Sequence, residues 1–514
     1  MSIARNVSTV GSATLASRAL ALVRDMGVAA VLGAGPLADA YFAAIQIPNL
    51  FRRLSADGAV NGALVPIWLR LRRAGGERPV VFVEDVLGIT LAVLTAFALL
   101  IITIAPLTIS VIAPGFGGTE RFSEAVDLLR LSIFYVVMGG AVAVASALLN
   151  AEGHIRAAAA SVVVFNCVLV SAVLIVLALG LAQSPPAAQI LAASFVAAGV
   201  AQAILVAAAL WRLPQRPRRL RLRPPPDARA FFARALPALT ASGVPQLTLI
   251  AGTIVASSST AAVSWLYYAY RLYELPLGVI SAAIASVMAP RIAAGVHEGV
   301  PAAAQKAQAQ ALELALGLAL PAAAGLAILC QPIIGLLFER GAFTADDTLA
   351  VATALAVLAI GLPGHALEKV LGAIAFAQED ATTPMRAALA GLTVAAIAAL
   401  TLAQAFGHIG IAAGIAAAGW VSSGWLTHAL HSQGRLAFAP GTLARAVRIV
   451  AATVIMAAAL VLLVLMMLTF SPPASEPARI VTLVALIGAG MAIYAVSLDR
   501  LGVIRARDVL AWIA

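Results

Sequence analysis

Lysine is almost absent from this chain. Lys306 and Lys369 are the only two among 33 basic residues, so arginine supplies nearly all of the positive charge. Cysteine is equally scarce. Cys167 and Cys330 both lie in apolar stretches, which argues against a disulfide framework. Charge of either sign is sparse, at 11% against about 25% in an average soluble domain. No Gly-rich nucleotide loop opens a helix, so an ATP-driven pump is not expected. No basic stretch carries the interleaved aromatics of a single-strand binder, so the net charge of +10 does not point to nucleic acid. Arg18 and Arg24 interrupt any signal-peptide h-region, and no cleavage site is expected there.

What the chain does have is apolar surface. Of its 514 residues, 62% are hydrophobic, too large and too greasy for one soluble core. Apolar stretches recur from end to end, which makes the expected class an all-α polytopic membrane protein. A helical span needs about 20 apolar residues, and by that measure the chain holds about fourteen spans. They fall near 9–32, 38–69, 81–112, 126–150, 157–181, 187–211, 231–257, 261–290, 305–330, 347–374, 384–406, 409–430, 443–469 and 478–498.

Loop charge sets the orientation. With the N-terminus in the cytoplasm, the inner loops carry Arg70, Arg72, Arg73 and Arg78, then Arg156, the run from Arg212 to Arg234, Arg291 and Lys306, Arg386, Arg435, Arg445 and Arg448, and the tail with Arg505 and Arg507. The outer loops hold little, so both termini are expected in the cytoplasm. The stretch RLPQRPRRLRLRPPPDARAFF (212–232) cannot span, and reads as an orientation-fixing loop near anionic lipid. It divides the chain near its middle. The expected plan is an N-terminal lobe over 1–213, a basic linker over 214–230, a C-terminal lobe over 231–434, and two last spans with a tail over 435–514.

The two lobes read as a duplication. APLTISVIAPGF (105–116) resembles QPIIGLLFERGAF (331–343), pairing Pro106 with Pro332 and Gly115 with Gly341 at an offset of 226. LLNAEGHIRAA near Asn150 resembles AFAQEDATTPMRAA near Phe376 at the same offset, and Pro66 matches Pro290 at 224. Six spans per repeat is an even number, so the halves are parallel, a recurring transporter plan.

Charges inside the spans are expensive. Each Arg or Asp at a helix centre costs about 2.5–3.5 kcal/mol, so Arg18, Arg24 and Asp25 in the first span cost roughly 7–10 kcal/mol if summed. They must face protein or water. Arg18 and Asp25 are seven residues apart and share a helix face. The second span adds Asp39, then Arg52, Arg53 and Asp57. The eighth adds Arg271 and Glu274 at i,i+3, and the tenth adds Glu368 and Lys369. Buried arginine suits an anion, because the guanidinium fork matches phosphate and stays charged. The competing reading is that the arginines pair with Asp25, Asp39 and Asp57 to lock helices together. Arg53 sits where it can snorkel to an interface. His365 lies within a span, as a proton site or as a hydrogen-bonded core residue. Tyr267, Tyr268, Tyr270 and Tyr273 crowd one helix, lining a polar cavity or forming an interfacial belt. His428 and His431 stand at i,i+3 with no third metal ligand evident. Asp346 and Asp347 suit a helix start.

ASRALALVRD, GAGPLADAYFAA, IPNLFRRLSADGAV and LVPIW, in that order, closely resemble the N-terminal signature of the MurJ/MviN family, lipid II flippases of the MOP exporter superfamily. SWLYYAYRLYELPLGV, LLFERGAFTADDT and FAQEDATTP resemble later family stretches, so the likeness covers roughly residues 8–400. The resemblance implies two six-helix lobes around a cationic cavity, with two further helices forming a groove for a lipid tail. It implies transfer of lipid-linked peptidoglycan precursor from the inner to the outer leaflet of the cytoplasmic membrane. It places substrate-binding arginines at Arg18, Arg24, Arg52 and Arg271, and family acids at Asp25 and Asp39. Ala21 stands where the family usually has Gly, Asp57 replaces a Glu, and Tyr270 replaces an acid, leaving Glu274 to serve Arg271.

The expected function is therefore a flippase working by alternating access, with Arg18, Arg24, Arg52 and Arg271 on the diphosphate and Asp25, Asp39, Asp57 and Glu274 as gating partners. It is not expected to be an enzyme or to carry a cofactor or metal. The coupling ion is not legible, and membrane potential supplies about 2.3 kcal/mol per charge per 100 mV to the cycle. Expected partners are lipid II or a related polyprenyl diphosphate-linked sugar, the bilayer, and proteins of cell-wall synthesis. Rivals are another superfamily exporter, a membrane enzyme acting on polyprenyl diphosphates, and a scaffold for cell-wall assembly. A cation exporter prefers acids in its cavity, and an enzyme needs clustered acids; the acids here are scattered.

Overall fold

The computed structural model describes residues 3–56, 58–223, 225–297, 301–436, 438, 440–470 and 475–503. Among these the regular structure is helical throughout, and eleven helices are long and apolar enough to cross a membrane. The fold is thus an all-α polytopic membrane fold. The chain divides into two compact units, one holding residues up to Ser264 plus Arg340–Thr344, the other the remainder.

The first unit holds α1 (Ile3–Leu32), α2 (Pro36–Ala44), α3 (Gln46–Ala56), α4 (Ala59–Ala74), α5 (Arg78–Thr103), α6 (Ala105–Ile112), α7 (Glu120–Ser132), α8 (Tyr135–Ala151), α9 (Ile155–Ala178), α10 (Pro185–Leu210) and α11 (Pro226–Ala256). The apolar segment 38–69 is not one helix, as its hydropathy suggests. It is divided among α2, α3 and α4. Pro48 sits in the first turn of α3, where its ring excludes the carbonyl of Ala44 and ends α2. Gly58, at φ +84°, makes the second break, in a left-handed conformation that glycine adopts freely. These breaks carry Arg52 on a short helix of its own.

α1 lies along α9, and α8, α9 and α10 pack side by side. Their joint holds an aromatic cluster: Tyr135, Phe165 and Phe195 meet with ring centroids 5.4–5.9 Å apart. A second core of Leu64, Trp68, Phe82, Leu148, Leu210 and Phe231 ties α4, α5, α8, α10 and α11 together. The basic linker does not hang free. Glu84 of α5 accepts from the backbone N–H groups of Arg218 (2.8 Å) and Arg219 (3.0 Å) and pairs with the Arg221 guanidinium at 3.0 Å.

The second unit contains most of α12 (Ala262–Ala283), continued through a π-helical turn (Ile284–Met288) into α13 (Ala289–His297), and then α14 (Pro301–Ile328), α15 (Cys330–Phe338), α16 (Ala345–Ala377), α17 (Thr382–Phe406), α18 (His408–Ser432), α19 (Thr442–Phe470) and α20 (Glu476–Arg500). α16, α17 and α18 form its tightest packing, and α19 packs on α14 and α20. At the 226-residue offset the helices match: α6 and α15 each begin beside the paired Pro106 and Pro332, and α9 matches α17 to within two residues. Gly115 and Gly341 match as well. A Cβ at Gly115 would collide with the backbone of Ser257, just past α11, and one at Gly341 (φ +61°) with the carbonyl of Ala30 in α1. Gly115 N–H donates to Ser257 Oγ (2.9 Å), and Ala342 N–H donates to Ala30 O (2.8 Å).

Candidate functional site

Arg24 lies on the face of α1 that meets α9, and it is 5% exposed. Its Nε and Nη2 donate to Oδ1 of Asp25, at 2.9 and 2.7 Å, and its Nη1 donates to Oδ1 of Asn166 at 3.3 Å. Asn166 in turn donates through Nδ2 to Ser17 Oγ (3.0 Å) and Ser17 O (3.3 Å). Asp25 is 2% exposed. A buried charge with this many donors and acceptors around it is held in one geometry. In the sequence Asn166 is a lone amide in the run VVVFNCVLV, the kind of intramembrane polar residue that marks a site, but spacing alone gives it no partner.

Arg52 approaches Phe165, the residue before Asn166 on α9. Its guanidinium carbon lies 5.4 Å from the centre of the Phe165 ring, and its Nε donates to Asn49 Oδ1 at 3.3 Å. Cation–π contact of this kind is worth about 0.5–2 kcal/mol, more when desolvated. Arg24 from α1 and Arg52 from α3 are therefore delivered to consecutive positions on α9. Arg18 is half-buried and, among the described residues, makes no hydrogen bond or ion pair. Arg53 reaches Gln246 of α11 at 3.1 Å. Asp57 lies outside the described residues.

Asp39 is fully buried in the first turn of α2. It accepts from the N–H of Ala261 (2.7 Å) and from the N–H (2.9 Å) and hydroxyl (2.8 Å) of Ser264, so it caps the first turn of α12. Its cationic partner is Arg121, at 3.5 Å. The Arg121 guanidinium also lies 4.7 Å over the Phe116 ring and reaches Ser259 O. Neither Arg121 nor Ser264 is visible as a partner from spacing, because both are distant in sequence.

In the second unit, Arg271 and Glu274 form an ion pair at 3.4 Å, with their side chains 19% and 24% exposed. Tyr273, between them in sequence, is buried, and its hydroxyl lies 2.9 Å from His365 Nδ1. Asp347 accepts from Trp265 Nε1 at 2.9 Å, so it serves more than the helix start. At the turn between α16 and α17, hydrogen bonds from Thr383 and Thr382 hold the Asp380 carboxyl well below the usual carboxylate range, and Arg435 pairs with it at 2.8 Å. Among the described residues, no group of three or more His, Cys, Asp or Glu is placed to hold a metal ion.

Over 501 residues the chain is 36% identical to the "Probable lipid II flippase MurJ" of Rhizobium meliloti strain 1021, covering 96% of this chain and 93% of the relative. It is 34% identical to the protein of the same description from Rhizobium tropici, over 88% of this chain and 86% of that one. Among solved structures, one described as "Lipid II flippase MurJ, inward closed conformation" superposes with TM-score 0.80 at 21% identity, covering 98% of this chain and 99% of that chain. A multidrug resistance MATE family transporter of the MOP superfamily shares the fold more distantly, with TM-score 0.65 at 15% identity over 82% of this chain and 95% of that one. The family model described as "Lipid II flippase MurJ" matches residues 28–481, and the chain belongs to that family.

Proposed function

We propose that this protein is a lipid II flippase that carries the lipid-linked peptidoglycan precursor from the inner to the outer leaflet of the cytoplasmic membrane by alternating access. It is a transporter, and its partners are the lipid cargo and the bilayer. The observation that carries the mechanism is the delivery of Arg24 and Arg52, from two different helices, to Asn166 and Phe165 of α9. Guanidinium groups held in an apolar helix bundle match a diphosphate better than a sugar or a drug cation.

In this reading Arg18, Arg24, Arg52 and Arg271 bind the diphosphate. Asp25 and Glu274 neutralise Arg24 and Arg271 when the cargo is absent. Asp39 acts at a gate through the first turn of α12, and Asp57 is a further gating partner. The chain crosses the membrane fourteen times with both termini in the cytoplasm. Its parallel six-helix lobes are residues 1–213 and 231–434, joined by the linker 214–230, and 435–514 adds two spans and a tail. Membrane potential resets the empty, cationic carrier.

The test is transfer of labelled lipid II between leaflets of proteoliposomes. Arg52→Ala is expected to insert normally and to lose most transfer. Full transfer by that variant removes Arg52 from the site.

A further inference from the structure

His365 lies in α16, within the membrane span, yet it is half-buried rather than sealed. Its Nδ1 faces two oxygens: the hydroxyl of Tyr273 at 2.9 Å and the carbonyl of Gly361 at 3.2 Å. A carbonyl only accepts, whereas a tyrosine hydroxyl either donates or accepts. With Nδ1 bare, the Tyr273 hydroxyl donates to it. With Nδ1 protonated, the N–H donates to either oxygen. The surroundings therefore satisfy Nδ1 whether or not it carries a proton. The ring also needs space, and α18 provides it at Gly419, where a Cβ would collide with the imidazole.

The pair is charged on several sides. From α12 come Tyr270, whose ring centroid is 5.5 Å from that of Tyr273, and Glu274, which acts on the Tyr273 hydroxyl. From α16 come Glu368, which acts on both members of the pair, and Lys369, which acts on His365. α18 presents the bare Gly419. Glu274 is also the ion-pair partner of Arg271. The same carboxylate thus pairs with Arg271 and also acts through its charge on Tyr273, the hydrogen-bond partner of His365.

We propose that His365 with Tyr273 is a proton-binding site coupled to cargo binding. This rests on the reading of Arg271 as a diphosphate ligand. When the diphosphate engages Arg271, it displaces Glu274 and adds negative charge of its own. In a poorly solvated setting that excess favours a proton on the nearby imidazole. The proton comes from water on the side where cargo enters, and returns to water on the side where the diphosphate leaves and Glu274 closes again on Arg271. Proton movement then follows cargo movement.

The experiment adds lipid II to the purified full-length protein in weakly buffered solution containing a pH-sensitive dye, at several values from roughly pH 5 to 8, the range in which histidine titrates. Binding is followed in parallel by intrinsic fluorescence. Wild type is expected to take up about one proton per lipid bound. His365→Gln, which keeps a polar side chain of similar reach, is expected to bind lipid II within about threefold of wild type with no proton uptake. Tyr273→Phe is expected to shift the pH at which uptake is half complete. Lipid II binding by wild type without proton uptake, or unchanged uptake in His365→Gln, overturns the proposal and leaves the flippase reading standing. Failure of wild type to bind lipid II at any pH overturns both.

Discussion

Arg24 and Arg271 share a residue type and an assigned role, but their settings differ. Arg24 is sealed, with three hydrogen bonds to Asp25 and Asn166 at 2.7–3.3 Å. Arg271 is about one fifth exposed, and its ion pair with Glu274 spans 3.4 Å. A buried pair with full hydrogen bonding is strongly coupled to the fold, because removing one member strands the other. A partly solvated pair contributes little to stability and exchanges partners easily. In the proposed reading the contrast divides the labour: Arg24 is a ligand preorganised by Asp25 and Asn166, and Arg271 is one whose carboxylate partner the cargo displaces.

The largest effect expected from this contrast is at Arg24. Arg24→Ala leaves Asp25 buried without its cation and is expected to destabilise the protein by about 3–5 kcal/mol. A thermal melt in detergent measures this, and Arg24→Ala/Asp25→Ala together should recover part of the loss. Asp39 extends the comparison to acids. It is fully buried with three close donors, so Asp39→Asn is expected to cost about 1.5–3 kcal/mol, the range for hydrogen bonds to a charged group. Arg271→Ala should lower stability by less than about 1 kcal/mol while transfer of lipid II falls steeply. If Arg271→Ala instead melts like Arg24→Ala, the contrast between the two settings disappears.

The smallest effect is at Asp380, outside the spans. Its carboxyl is held below the usual range by Thr383 and Thr382, so it contributes stability above the unfolded-state value near 3.9 and loses it as pH falls through the folded value. Asp380→Asn is accordingly expected to melt about 2 °C or less below wild type at pH 7, with the gap closing under strongly acid conditions. A gap that widens on acidification contradicts the assigned hydrogen bonds.

How much of this the sequence revealed depends on the range of the interaction. Hydropathy and composition gave the helical membrane class, since both depend on short windows of residues. The 226-residue offset was legible because proline and glycine recur at it, and helices α6 and α15 begin beside the paired prolines. The same windows merged α2, α3 and α4 into one span, because hydropathy does not register the ring of Pro48 or the left-handed backbone at Gly58. Arg24, Asp25 and Arg52 stood out as charges in apolar surroundings. Their partners did not, because Asn166 and Phe165 reach them only after α1 and α3 have packed on α9. The Asp39–Arg121 pair and the cap on α12 are tertiary for the same reason. Nothing in the sequence marks Glu84, since an acid near a helix start looks solvent-facing until the linker folds back on it.

The central claim is that guanidinium groups in the membrane hold the diphosphate of the cargo. Its most direct test compares the affinity of the reconstituted protein for lipid II with that for the same lipid carrying an uncharged linker in place of the diphosphate. Wild type is expected to favour the diphosphate by about tenfold or more, and Arg52→Ala/Arg271→Ala to lose that preference. Equal affinity of wild type for the two lipids, or an unchanged preference in the double variant, would contradict the account.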